Sequence, residues 1–154
     1  MSTETCIVLE IPGEPGSKGR ARSGRTKSGH TVHYTPEKTV IFENLVRSRF
    51  SEIKPFDWTP HEGVVDIEID AYFPIPKSWP EWKREMAAGE RMRAPNRRDW
   101  DNIGKAICDA LNHIAYRDDR QVTDGLVRKR YSEHPRTEIT LTFYPELKKP
   151  SKEA

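Results

Sequence analysis

From Val65 to Phe73 apolar and polar residues alternate without a break: Val65, Ile67, Ile69, Ala71 and Phe73 on one parity, Asp66, Glu68, Asp70 and Tyr72 on the other. Side chains two apart share one face of a strand, so this stretch predicts a strand with one buried face and one wet face. A half-buried strand needs neighbours and a cover. Ile7, Leu9 and Ile11 predict a first strand, stopped by Pro12-Gly13, with Cys6 ahead of it. Gln121 to Tyr131 and Thr137 to Tyr144 predict two more, the second with Ile139, Leu141 and Phe143 inward. The cover is helical. Thr35-Pro36 reads as N-cap and first residue of a helix that buries Phe42, Leu45, Val46 and Phe50. Ile103, Ala106, Ile107, Ala110, Leu111 and Ile114 follow helical spacing and predict a second. The order implies an α+β fold: a mixed sheet of about four strands with two main helices packed on one side.

At 154 residues the chain suits one domain with one modest core, taken as residues 1–145. Within it, 12–34 is a basic, glycine-rich loop expected to stay mobile until a ligand orders it. Residues 74–98 form an excursion, with Glu81 to Glu90 a short helix and Trp79 and Trp82 packing it down. Residues 146–154 read as a flexible lysine-rich tail.

The chemistry concentrates between Asn96 and Val122. Asp99 and Asp101 stand at the threshold of the second helix, either one able to cap it. Asp101, Lys105 and Asp109 are spaced by four and share its polar face. If the approach is extended, Asp99 and Asp101 alternate around Trp100 and point the same way. A further pair, Asp118-Asp119, comes after the helix. Carboxylates bracketing a helix that carries a lysine suit a hard divalent cation; the plain alternative is a cap, an i,i+4 ion pair and a polar turn.

The ordered set Asp99-Trp100-Asp101-Asn102, Lys105-Ala106, Asp109-Ala110-Leu111 and Asp118-Asp119-Arg120-Gln121-Val122 resembles the signature of the RusA family of Holliday junction resolvases. Gly16-Ser17-Lys18-Gly19-Arg20 with Tyr34-Thr35-Pro36 is similar to the family's basic N-terminal loop, and Tyr72 to Trp79 to its central strand and exit. Trp100 departs from the aliphatic residue usual there. The resemblance implies a homodimeric, RusA-like fold and a crossover junction endodeoxyribonuclease that nicks opposed strands of a four-way junction in recombination and repair. It implies Asp99, Asp101 and Asp119 as metal-binding and catalytic carboxylates, with Asp118 an adjunct or the ligand in place of Asp119. The cofactor would be Mg²⁺, with Mn²⁺ able to substitute. Lys105, a cation, cannot bind metal while charged and is placed on the scissile phosphate. The alternatives are a less selective structure-dependent nuclease and a nucleic-acid-binding module without catalysis.

The charge distribution agrees with a phosphate-backbone partner. The net charge is only +2, but Lys18, Arg20, Arg22, Arg25 and Lys27 occur with no acid between Ser17 and His30. Arg91, Arg93, Arg97 and Arg98 crowd the approach to the aspartates. Lys18, Arg20, Arg97 and Arg98 are the expected DNA contacts. Cys6 and Cys108 have no CxxC partner, which predicts a reduced, cytoplasmic setting, and the spacing of Cys6 with His30 and His33 fits no structural zinc pattern. No apolar run approaches membrane-spanning length, the N-terminus lacks a signal-peptide pattern, and no small-molecule cofactor is expected.

Overall fold

The computed structural model describes residues 3–19, 22–34 and 36–152. Its frame is a four-stranded mixed sheet with three helices. The strands are β1 (Thr5–Pro12), β4 (Val65–Pro74), β5 (Val122–Ser132) and β6 (Arg136–Phe143), in the order β1-β6-β4-β5. A separate two-stranded hairpin is made by β2 (Arg22–Arg25) and β3 (Thr31–Tyr34). The helices are α1 (Glu37–Ile53), α2 (Glu81–Ala88) and α3 (Trp100–Leu111).

Register explains why the alternation of β4 matters. Leu9, Ile139, Ile69 and Val127 form one row across the four strands; Ile7, Leu141, Ile67 and Gly125 form the next. These rows face the helices. α1 buries Phe42, Val46 and Phe50 against them, and α3 buries Ile103, Ala106, Ile107, Ala110 and Leu111. Burying each of the larger of these side chains, the phenylalanines, Val46, the isoleucines and Leu111, contributes about 1.5–3 kcal/mol. The opposite face carries the charged and polar residues of β4, with Val8 and Leu126 exposed among them. There Arg128 pairs with Glu68 and, at 3.3 Å, with Asp70, so the acidic parity of β4 is matched by β5.

β4 and β5 are parallel, which requires a crossover between them. The whole segment 75–121, with α2 and α3, is that crossover. It returns the chain to the start of β5 opposite Val65, so the turn after α3 is brought back beneath that helix.

Four expectations are corrected. The loop over 12–34 contains the β2–β3 hairpin, closed by Thr26 and His30 with Gly29 at φ +85°. Every residue of β3 is exposed, so no buried parity marked it in the sequence. α3 ends at Leu111 and not Ile114, because Asn112 leaves helical dihedrals (ψ 133°) and His113 then takes a left-handed φ of 67°. Ile114 still packs on the core from outside the helix. Cys6 lies within β1, exposed near its start. In the excursion Trp79 stacks edge-on to Tyr131 at 4.8 Å, whereas Trp82 is exposed. Thr35 lies outside the described residues; Pro36 occupies the N-cap of α1.

Candidate active site

α3 supplies the polar face that its spacing predicts. Lys105 Nζ lies 3.0 Å from Asp109 Oδ1 and 3.0 Å from Asp119 Oδ2, joining the helix to the turn after it. Asp109 also receives Lys18 Nζ at 3.1 Å, and Lys18 reaches Glu43 of α1 at 2.8 Å. The result is a row of alternating charge: Asp119, Lys105, Asp109, Lys18, Glu43. Hydrogen bonds from Lys105 to Asp109 and then Asp119 hold its ammonium protonated well above the usual lysine range. Partial burial disfavours the charged form of Asp109, but the two lysines outweigh it and push its carboxyl below the ordinary range.

Lys18 arrives by close packing. Its backbone N–H donates to Asn102 O at 2.8 Å, docking the loop on the first turn of α3. Gly19 N–H donates to Thr39 Oγ1 at 3.0 Å, docking it on α1. A Cβ at Gly16 would meet the Phe42 ring at 2.3 Å, so only glycine lets the loop lie this close.

Asp101, Lys105 and Asp119 line one cavity of about 330 Å³ between α3 and the β4–β5 edge. Asp99 does not line it. Asp99 is extended (φ −62°, ψ 135°) but Trp100 and Asp101 are already helical, so the extended alternation expected of Asp99 and Asp101 does not carry through Trp100. Asp99 is the N-cap, and its carboxylate accepts from Asn102 Nδ2 at 3.3 Å. Asp118 and Asp119 divide their work. Asp118 caps the 3-10 turn over Asp119–Gln121, accepting from Arg120 N–H at 2.9 Å, which lowers its pKa. Gln121 completes the box: its Oε1 accepts from Asp118 N–H at 2.9 Å and its Nε2 donates to His61 O and Gly63 O, both at 2.8 Å. With Asp118 tied back, Asp119 is the member of the pair that faces α3.

Among the described residues no group of three or more acidic, histidine or cysteine side chains is gathered for one ion. Two carboxylates, Asp101 and Asp119, share the cavity rim, and the ammonium of Lys105 already answers the negative charge there. That donor set fits Mg²⁺, which takes one or two carboxylates and fills its remaining positions with water and phosphate oxygen.

The expected DNA contacts separate. Lys18 is spent on internal ion pairs. Arg20 lies outside the described residues. Arg97 donates to Pro74 O at 3.2 Å and sits over the Tyr131 ring, so it braces the excursion. Arg98 is exposed, and with Arg22 and Lys38 it lines a groove of about 720 Å³ beside the glycine loop. Glu43, Arg22 and Lys38 were not singled out from the sequence as site residues. Glu43 carried a signal, being a charge at a core-facing position between Phe42 and Val46 in the stripe of α1.

Residues 12–142 match the family model described as Endodeoxyribonuclease RusA. The chain is also 36% identical over 138 residues to the uncharacterized protein YqaN of Bacillus subtilis (strain 168), covering 88% of this chain and 95% of that one. The matched span runs from the end of β1 into β6 and takes in every residue of the charged row and the cavity rim, so the chain belongs to the RusA endodeoxyribonuclease family.

Proposed function

We propose that the chain is a Mg²⁺-dependent endonuclease that resolves Holliday junctions by paired symmetric nicks, working as a homodimer in a reduced, cytoplasmic setting during recombination and repair. What carries the reading is the meeting of Asp101, Lys105 and Asp119 around one cavity, within a family whose reaction is cleavage of DNA.

Asp101 and Asp119 would hold the ion, with Asp99, exposed at the helix threshold, as the third carboxylate that the resemblance implies. A bound Mg²⁺ or Mn²⁺ supplies an activated water and charge neutralisation at phosphorus. Lys105 stays protonated at neutral pH, so it acts by charge and not as an acid: its ammonium pairs with a non-bridging phosphate oxygen and stabilises the charge that grows there. Asp109 keeps Lys105 aimed when its other partner is engaged. Arg98, Arg22 and Lys38 hold the DNA backbone along their groove, while Lys18 anchors the loop from within. Two symmetric cuts in a two-fold branched substrate call for two related sites, which a C2 dimer provides. No helix among the described residues is long and apolar enough to cross a membrane.

The test is nicking of a synthetic four-way junction with and without Mg²⁺, mapped on all four strands. Metal-dependent paired nicks, abolished by Asp101→Asn with junction binding retained, are expected. Binding without cleavage under every divalent ion would leave a non-catalytic module. Nicking that linear duplex competes away would leave a less selective nuclease.

A further inference from the structure

The carboxylates on its rim do not account for the interior of the cavity beside α3. Its walls are apolar, made by Ile67 and Ile69 of β4 and by Gly125, Leu126 and Val127 of β5. Trp100 stands at the mouth. Its indole Nε1 donates to Val127 O at 3.0 Å, which fixes the ring, yet the residue remains 55% exposed. A concave, mostly apolar space with a few convergent polar groups is the form of a ligand site. Leaving such a wall open to water costs free energy that a packed side chain here would have recovered. Two glycines keep it open: a Cβ at Gly104 would meet Val127 Cγ2, and one at Gly125 would meet Ile67 Cγ2, each at an unstrained 3.6 Å.

We propose that this cavity receives one unpaired nucleobase next to the scissile phosphate, stacked on Trp100, so that the choice of nick site depends on that base. The inference rests on the endonuclease reading, because a phosphate held at Lys105 brings its own nucleotide to the cavity mouth. Every base offers a π face to an aromatic ring, and unpaired bases near a branch point are cheap to extrude. The walls offer little hydrogen bonding, so the preference is set by base size and stacking. A second copy of the chain is the weaker occupant, because it would bury Asp101, Lys105 and Asp119 at an interface core, where charge is depleted.

The probe is a four-way junction carrying 2-aminopurine at each nucleotide flanking the mapped nick, bound to the full chain without divalent ion. One position should be shielded from acrylamide quenching by the wild-type chain, with shielding lost in Trp100→Ala. Gly104→Ala, which narrows the cavity while favouring the helix, should weaken shielding without lowering the melting temperature. An abasic sugar at that position should weaken wild-type binding about tenfold and Trp100→Ala binding no further. Equal quenching at all positions, or an equal abasic penalty in both proteins, overturns the proposal. So does a change of sedimentation mass in Trp100→Ala, which assigns the cavity to a second copy. A chain that shields a base but never nicks with Mg²⁺ sinks the endonuclease reading instead; one that nicks and shields nothing sinks only the base site.

Discussion

Lys105 is the residue on which the charged row turns, since it alone touches both Asp109 of its own helix and Asp119 beyond it. If its ammonium stabilises charge at phosphorus, Lys105→Ala should lower the single-turnover nicking rate about 100- to 1000-fold while junction affinity changes little. Asp109 acts through it. Asp109→Asn weakens two charge-assisted hydrogen bonds and should cost roughly 1–3 kcal/mol in urea unfolding. The pH dependence has a definite sign. The folded carboxyl of Asp109 lies below its unfolded value, so its contribution is full above about pH 4 and disappears as pH falls through the folded value. Lys18 and Lys105 are raised, so theirs is full below about pH 10 and is lost only as pH climbs through their folded values. Urea midpoints should therefore be level near neutrality, and Asp109→Asn should flatten the acid limb.

At the scale of elements, α3 and the 3-10 turn behave as one device. The helix was legible in its apolar stripe, and the spacing of Asp101, Lys105 and Asp109 by four put them on one face before any fold was known. The turn was not. Nothing local shows that Gln121 donates to two carbonyls at positions 61 and 63, because those partners are distant in sequence. Gln121→Ala should lower stability by about 1–3 kcal/mol and slow nicking, as Asp119 loses its support. Asp118→Asn gives the sharper comparison, since asparagine caps as well as aspartate does. Melting temperature and nicking should both survive it, whereas Asp119→Asn should keep the fold and abolish nicking. A dead Asp118→Asn would make Asp118 a ligand as well as a cap. The β2–β3 hairpin was hidden for a different reason: its strands bury nothing, and period-two patterning exists only where one face is covered.

For the whole molecule, the basic side chains are spread over the hairpin, α1 and the approach to α3, and only folding makes Arg22, Lys38 and Arg98 neighbours. Junction affinity should fall steeply with salt, and Arg98→Ala should reduce the slope of log K against log salt by about one, measured by titration from low to moderate ionic strength. Sedimentation should report a dimer. The sequence by itself determined the sheet and its buried parity, the covering helices, and the charges at each end of α3, because periodicity and capping are local properties of the chain. Tertiary structure decided which of those charges meet. The parallel β4–β5 pairing folds residues 118–121 back under α3, and that long-range placement brings Asp119 to Lys105 in a cavity that Asp101 lines and Asp99 does not. It also ties Lys18, expected on DNA from its basic loop, to Glu43 and Asp109, an ion pairing that no local pattern shows because the two partners come from two different helices.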